Sequence, residues 1–206
     1  WIILPANNKA GNSSYPKLLV STERSYSNKN WYECQSLLHN DKEFMLTIRQ
    51  FIDFINLLRS GNVNYADGSK INKRKLKNIL DEILKVKNPW KAEWLDAKFS
   101  NNKNKMFITY HKIKDEGSLE EFTEELKDCL MSDKAPGIDL NYWLSNSTSQ
   151  GIPKSNTPNG NLNYWVPIDG TVAWFDAGSG RVSLSCYRNP LGSDSWLWVR
   201  RAKFFK

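Results

Sequence analysis

Histidine and cysteine are scarce in this chain, whose 206 residues hold two His and three Cys. His39 and His111 stand far apart without metal-ligand spacing, and read as surface or hydrogen-bonded side chains. Cys34, Cys129 and Cys186 are too few and too scattered for a disulfide framework or a zinc site, and no pairing follows from them. There is no apolar run long enough to cross a membrane as a helix, no low-complexity linker and no recognisable signal peptide. The chain begins at Trp1 rather than Met, which leaves room for residues before it. A phosphate loop, a nucleophile elbow and a dinucleotide fingerprint are all missing, and no two carboxylates mark themselves as an acid and a base. The residues give no positive argument for catalysis, a metal or a cofactor.

What the chain does have is aromatic mass and positive charge. Nine Trp, eight Tyr and nine Phe suit a large core, a contact surface, or both. The formal charge is +7, with the basic excess lying before residue 118 and after residue 163 and a net acidic stretch between. The lysines are spread out rather than gathered in a stripe, so they read as a solvated basic surface, with a nucleic-acid or polyanion site on the 72–87 helix as the alternative. A single domain over 1–206 is expected, since a chain of this length buries roughly 70% of its unfolded surface without staples.

Residues 1–40 read as extended and loop-rich, with short strands at 1–4 and 18–21, the first a candidate partner for a C-terminal strand. Phe44, Ile48, Phe51, Ile52, Ile55 and Leu58 recur at spacings of three and four, predicting a buried helix over 41–60 that Asp41 caps and Gly61 stops. Leu76, Ile79, Leu80, Ile83 and Leu84 predict a second helix over 72–86, with Lys73, Arg74, Lys75 and Lys77 mostly outside. Residues 88–99 form a compact aromatic block with a structural role. Residues 106–114 alternate and predict a strand. Ser118-Leu119-Glu120-Glu121 has the form of a capping box and predicts a helix to about Met131. A long connection over 132–163 follows, anchored by Trp143 and Leu144. The Leu-Asn-Tyr-Trp echo at 140–143 and 162–165 is too short for a repeat.

The last forty residues organise the chain. Val182, Leu184 and Cys186 alternate with Ser183, Ser185 and Tyr187, so a strand there turns the apolar set inward and the other set outward. The non-core residues are Ser, Tyr, Trp, Asp and Gly, types that dominate antibody contact surfaces. An ordinary half-exposed sheet with polar turns is the plainer alternative.

Several blocks together resemble the variable proteins of diversity-generating retroelements, of archaeal or viral type. These are residues 43–61, 88–99, 137–153 and 161–203, covering most of the chain after residue 40. The final block is the most specific, with Tyr-Trp at 164–165, Val-Ala-x-Phe at 172–175, Ser-Gly-Arg at 179–181, Arg-Asn-Pro at 188–190 and Val-Arg at 199–200. The resemblance implies an α+β C-type lectin fold of the formylglycine-generating-enzyme subtype, a few helices on short antiparallel sheets with much irregular structure. It also implies that residues at about 164–200 are diversified, by error-prone copying of a template at adenines, to bind a macromolecular ligand. That ligand is expected to be a surface protein, met from a virion or host-cell surface.

The diversified, ligand-binding set implied by the resemblance is Asp169, Trp174, Asp176, Ser183, Ser185, Tyr187, Leu191, Ser193, Asp194, Trp196 and Trp198. Codons explain part of it. An Asn codon randomised at both adenines reaches Ser, Tyr, Asp and Leu, whereas Trp174, Trp196 and Trp198 require another template codon, such as AGG, or are fixed. Ala173, Phe175, Val182, Leu184, Cys186, Leu197 and Val199 are expected inward as scaffold, and Trp174, Tyr187, Trp196 and Trp198 as aromatic anchors. The formylglycine-generating relatives use two closely spaced cysteines. Cys186 stands alone in its part of the chain, so that activity is not carried over, and an orphan enzyme remains an alternative. Calcium-dependent lectins use Glu-Pro-Asn or Gln-Pro-Asp, and neither tripeptide occurs. No catalytic residue, metal or cofactor is expected, nor membrane insertion, nor nucleic acid as a partner.

Overall fold

The structure is a computed structural model, and it describes all residues except 115–117, 133, 158, 179 and 206, together with the side chains of 134–136. The chain is mixed α+β. In order it forms β1 (Ile2–Leu4), β2 (Leu18–Ser25), α1 (Trp31–Asn40), β3 (Phe44–Met45), α2 (Ile48–Ser60), α3 (Lys73–Leu84), β4 (Lys91–Asn102), β5 (Lys105–Ile113), β6 (Leu119–Glu125), β7 (Lys134–Ile138), α4 (Leu140–Asn146), β8 (Leu162–Trp165), β9 (Val172–Gly178), β10 (Arg181–Arg188) and β11 (Leu197–Phe204). The strands share one sheet in the order β1-β2-β11-β4-β9-β10-β8-β7, with β3 added to β11 and the β5–β6 hairpin added to β4. Its pairs are antiparallel except β11 with β4 and β10 with β8. The expected contact of the first strand with the C-terminus is indirect, since β2 lies between β1 and β11.

Helix α2 is specified locally. Thr47 accepts from the Gln50 backbone N–H while the Gln50 side chain accepts from the Thr47 N–H, a capping box that fixes the start. Gly61 closes the helix at φ +70°, a left-handed conformation that suits glycine. The predicted start at Asp41 was too early. Phe44 and Met45 pair with Ala202 and Arg201 of β11, and Asp41 instead ends α1. Helix α1 was not anticipated, although Asn30 and Glu33 form a capping box before it. The second predicted helix is α3, capped by Asn72, with Leu76, Ile79 and Ile83 buried.

The helix predicted from Ser118 is β6, an edge strand paired with β5 from Phe107↔Glu125 to Ile113↔Leu119. Cross-strand partners decide it. The Phe122 ring meets Tyr110, the Thr123 and Thr109 hydroxyls bond at 2.8 Å, and Lys114 and Lys105 pair with Glu120 and Glu125. The predicted strand at 106–114 is β5. The aromatic block at 88–99 becomes most of β4, a strand at the centre of the sheet. Within the long connection, β7, α4 and β8 form, and Trp143 and Leu144 are buried as anchors.

Two cores cover the two faces of the sheet. The larger joins Phe51, Ile52 and Ile55 of α2, Ile79 of α3 and Trp143 of α4 to Phe175, Leu184 and Cys186. There Trp143 stacks on Phe175 with centroids 5.9 Å apart, and Phe51 tilts against the same ring at 5.3 Å. The smaller sets Trp31, Cys34 and Leu38 of α1 against Trp94, Val172, Leu197 and Val199. No helix among the described residues is long and apolar enough to cross a membrane.

Candidate functional site

The segment 164–203 folds as β8 to β11. Every member of the expected scaffold set is buried: Ala173, Phe175, Val182, Leu184, Cys186, Leu197 and Val199. They do not share one face. Phe175 and Leu184 sit opposite each other in the larger core, whereas Leu197 lies opposite Ala92 and Val199 opposite Trp94 in the smaller one. The cause is the parallel register of β11 on β4, which turns alternate residues of β11 toward α1.

The expected outward orientation of Ser183 and Ser185 needs correction. Both point away from the larger core, yet Ser183 is buried and Ser185 is 0% exposed. Strand β10 is interior, between β9 and β8, and Ser185 lies in one cross-strand row with Trp174 and Trp165. Ser185, flanked by two large rings, is covered by them, while Ser183 lies between Asn163 and Asp176. Among the described residues the Ser185 Oγ has no hydrogen-bond partner.

The rings belong to a connected cluster on this face. Trp174 lies 5.4 Å from Trp94 and 5.5 Å from Trp90, centroid to centroid. Gly178 admits Trp90, since a Cβ there would meet the Trp90 Cβ at 2.3 Å. Tyr187 meets Trp165 edge-on at 5.7 Å. A bulge in β10 between Ser185 and Arg188 brings Tyr187 and Arg188 to the same side. The Arg188 guanidinium lies 3.9 Å from the Trp174 centroid and 4.7 Å from that of Tyr187. Asp176 accepts a hydrogen bond from the Trp174 indole Nε1 at 3.0 Å. Burial pushes the Asp176 carboxyl up to about 6, against the opposing pull of the Trp174 donor, the Arg188 charge and Ser183.

Leu191, Ser193, Asp194 and Trp196 occupy the 189–196 loop. Its ends are fixed by Arg188, opposite Val172, and by Leu197, opposite Ala92. Its middle is tied to the α1 side, with Trp31 N–H donating to Pro190 O and Asn28 N–H to Asp194 O. The loop thus crosses the face that carries the ring cluster. Leu191 is 68% exposed and Trp196 39%, and Ser193 is exposed. Asp194 is half-buried and its carboxylate accepts from the Trp196 N–H. Leu191 also lines a shallow groove of about 400 Å³ with Tyr32, Glu33 and Leu37 of α1.

Two expected site residues lie elsewhere. Trp198 sits opposite Glu93, so it projects from the opposite face to Trp174, where the Arg24 guanidinium lies 6.0 Å from its ring. The four aromatic anchors therefore do not form one surface. Asp169 holds a turn, its carboxylate accepting from the Asn101 N–H at 2.8 Å. Three members of the cluster, Arg188, Trp165 and Trp90, were missed as contact residues. Their signal was weak: an Arg next to Tyr187, and two Trp that the fold alone brings to Trp174.

The remaining candidates are scattered. Lys73, Arg74 and Lys77 are exposed on α3, and Lys77 pairs with Asp81 within the helix. His111 Nδ1 meets the buried Asp96 carboxylate at 3.1 Å, and that bond holds its pKa above the ordinary value. Among the described residues no cluster of three His, Cys, Asp or Glu side chains could hold a metal ion. Comparison with protein-family models, curated proteins and solved structures found no match.

Proposed function

We propose that this chain is a non-enzymatic ligand-binding display protein, a retroelement variable protein with a C-type lectin-like fold. Its C-terminal segment would carry replaceable contact residues that bind a macromolecule, a surface protein in the first instance. The observation that carries this reading is the division of labour within one segment. Seven scaffold side chains of 164–203 are buried, while the loop at 189–196 exposes Leu191, Ser193 and Trp196 beside the Trp174–Arg188–Tyr187 cluster. Substitution on an exposed loop leaves the cores intact, which is the physical requirement for a surface that changes while its fold persists. The contact set that best fits is Trp174, Asp176, Tyr187, Leu191, Ser193, Asp194 and Trp196.

The orphan-enzyme alternative has less support. Burial, with Cys129 nearby, holds the Cys186 thiol well above its ordinary range, the opposite of what a thiolate nucleophile needs.

The test is to sequence the DNA beside the gene. A near-copy of the codons for residues 160–203, differing at adenines of the copy and adjoining a reverse-transcriptase gene, is expected. An intact locus with no such copy removes the diversification reading.

A further inference from the structure

Among the described residues Arg188 has aromatic partners, and Asp176 acts on its charge without pairing with it. It forms neither an ion pair nor a hydrogen bond with any described residue, and its Nε is buried without an acceptor. The guanidinium is nonetheless held, by the Trp174 ring at 3.9 Å and the Tyr187 ring at 4.7 Å. Stacking against two rings fixes the plane of the fork and strips water from its faces, while leaving its edge to accept an oxyanion. Tyr187 is itself braced by Trp165, and Trp174 by Trp90, Trp94 and the bond to Asp176. A second orphan, the Ser185 Oγ, lies in the cross-strand row of Trp174 and Trp165, in a side chain that is 0% exposed. That hydroxyl is sealed beneath the rings, so a ligand can reach this face only at the half-buried Arg188 fork, whose charge no described residue pairs.

We propose that Arg188, clamped between Trp174 and Tyr187, is a preformed receptor for a carboxylate of the ligand, so that the partner is a protein presenting an acidic side chain. The inference rests on the reading of this face as the ligand surface. The planar fork matches a planar carboxylate through two parallel N–H···O bonds. Charge selects among oxyanions. Asp176 bonds the indole N–H of the same Trp174 ring and acts on the Arg188 charge, so an incoming group meets one cation with a carboxylate close by. One fork offset by a carboxylate leaves too little positive charge to neutralise a doubly charged phosphate, whereas a singly charged carboxylate is matched by the fork alone. The exposed apolar groups alongside, Trp196 and Leu191, suit the rest of a peptide.

The experiment is a titration of the 15N-labelled protein, followed at the Arg188 Nε–H and Trp174 indole N–H resonances. The probes are acetate, acetamide, inorganic phosphate, glucuronate and the capped tripeptide Ac-Ala-Glu-Ala-NH2. Saturable shifts with acetate and tighter binding of the tripeptide are expected, with none for acetamide. Arg188→Lys keeps the charge but loses the fork, and should weaken acetate binding about tenfold or more. Asp176→Asn should tighten it. Absence of a saturable acetate response in the wild-type protein overturns the receptor. Tighter binding of phosphate or glucuronate than of the tripeptide overturns the acidic side chain as its ligand. Neither result bears on whether a template copy lies beside the gene, so failure here is separable from failure of the display reading.

Discussion

Arg200 and Glu93 meet side to side beneath the sheet, Nε to Oε2 at 2.9 Å and Nη2 to Oε1 at 2.7 Å, with side chains 1% and 4% exposed. The third edge of Arg200 donates to Ser21 O at 3.1 Å, and Arg24 and Glu82 extend the network. This pair ties β11 to β4, the parallel junction that sets which β11 residues face α1. Removing one partner strands a buried charge. Arg200→Met should cost about 3–5 kcal/mol. The double variant Glu93→Leu/Arg200→Met should cost less than either single change, because Arg24 and Glu82 still have each other. Urea denaturation of the wild type, the two single variants and the double variant measures this, and an additive cycle would contradict it.

Phe175 is the pivot of the larger core, with Trp143 stacked on one side and Phe51 tilted against it. Phe175→Ala should lose about 3–5 kcal/mol through lost burial and the cavity left behind. A loss under 1 kcal/mol in the same denaturation assay would mean that the ring stack does not hold α4 to the sheet.

Residues offered for diversification should divide by burial. A display library randomised at Leu191, Ser193 and Trp196 should keep most members protease-resistant, since exposed changes cost no more than about 0.5 kcal/mol. A library randomised at Ser183, Ser185 and Trp198 should lose many, and Ser185→Tyr alone should cost about 1–3 kcal/mol by overpacking. Equal survival of the two libraries would refute the assignment of Ser183 and Ser185 as covered.

Asp176 titrates in the wrong place for an exposed carboxylate. Its folded value of about 6 lies above the ordinary 3.8, so the fold disfavours its charge. Above pH 6 it is ionised in folded and unfolded chains alike, and the whole penalty is present. As pH falls through 6 the folded protein takes up a proton that the unfolded chain does not yet bind, and the penalty fades toward pH 4. Asp176→Asn should therefore stabilise the protein at pH 7.5 by about 1–3 kcal/mol, with the gain shrinking toward zero near pH 4. The same gain at both pH values would mean that charge is not its cause.

The sequence by itself determined what lies within one turn or one strand of itself. Thr47, Gln50 and Gly61 bound a helix because capping groups act over three or four residues. Val182, Leu184 and Cys186 share the face of the larger core because alternation is a property of any strand. The same local signal misled at Ser118-Leu119-Glu120-Glu121, where pairing with β5 outweighs a capping pattern. Only the tertiary structure decided the neighbours. Ser185 is covered because Trp165 and Trp174, 20 and 11 residues earlier in the chain, pair with it on either side. Trp198 faces away from Trp174 because β11 joins β4 in parallel, and one residue of register turns a side chain to the other face. Arg188 became the centre of the candidate site through a bulge and two rings, and no local pattern encodes the distance between rings on different strands.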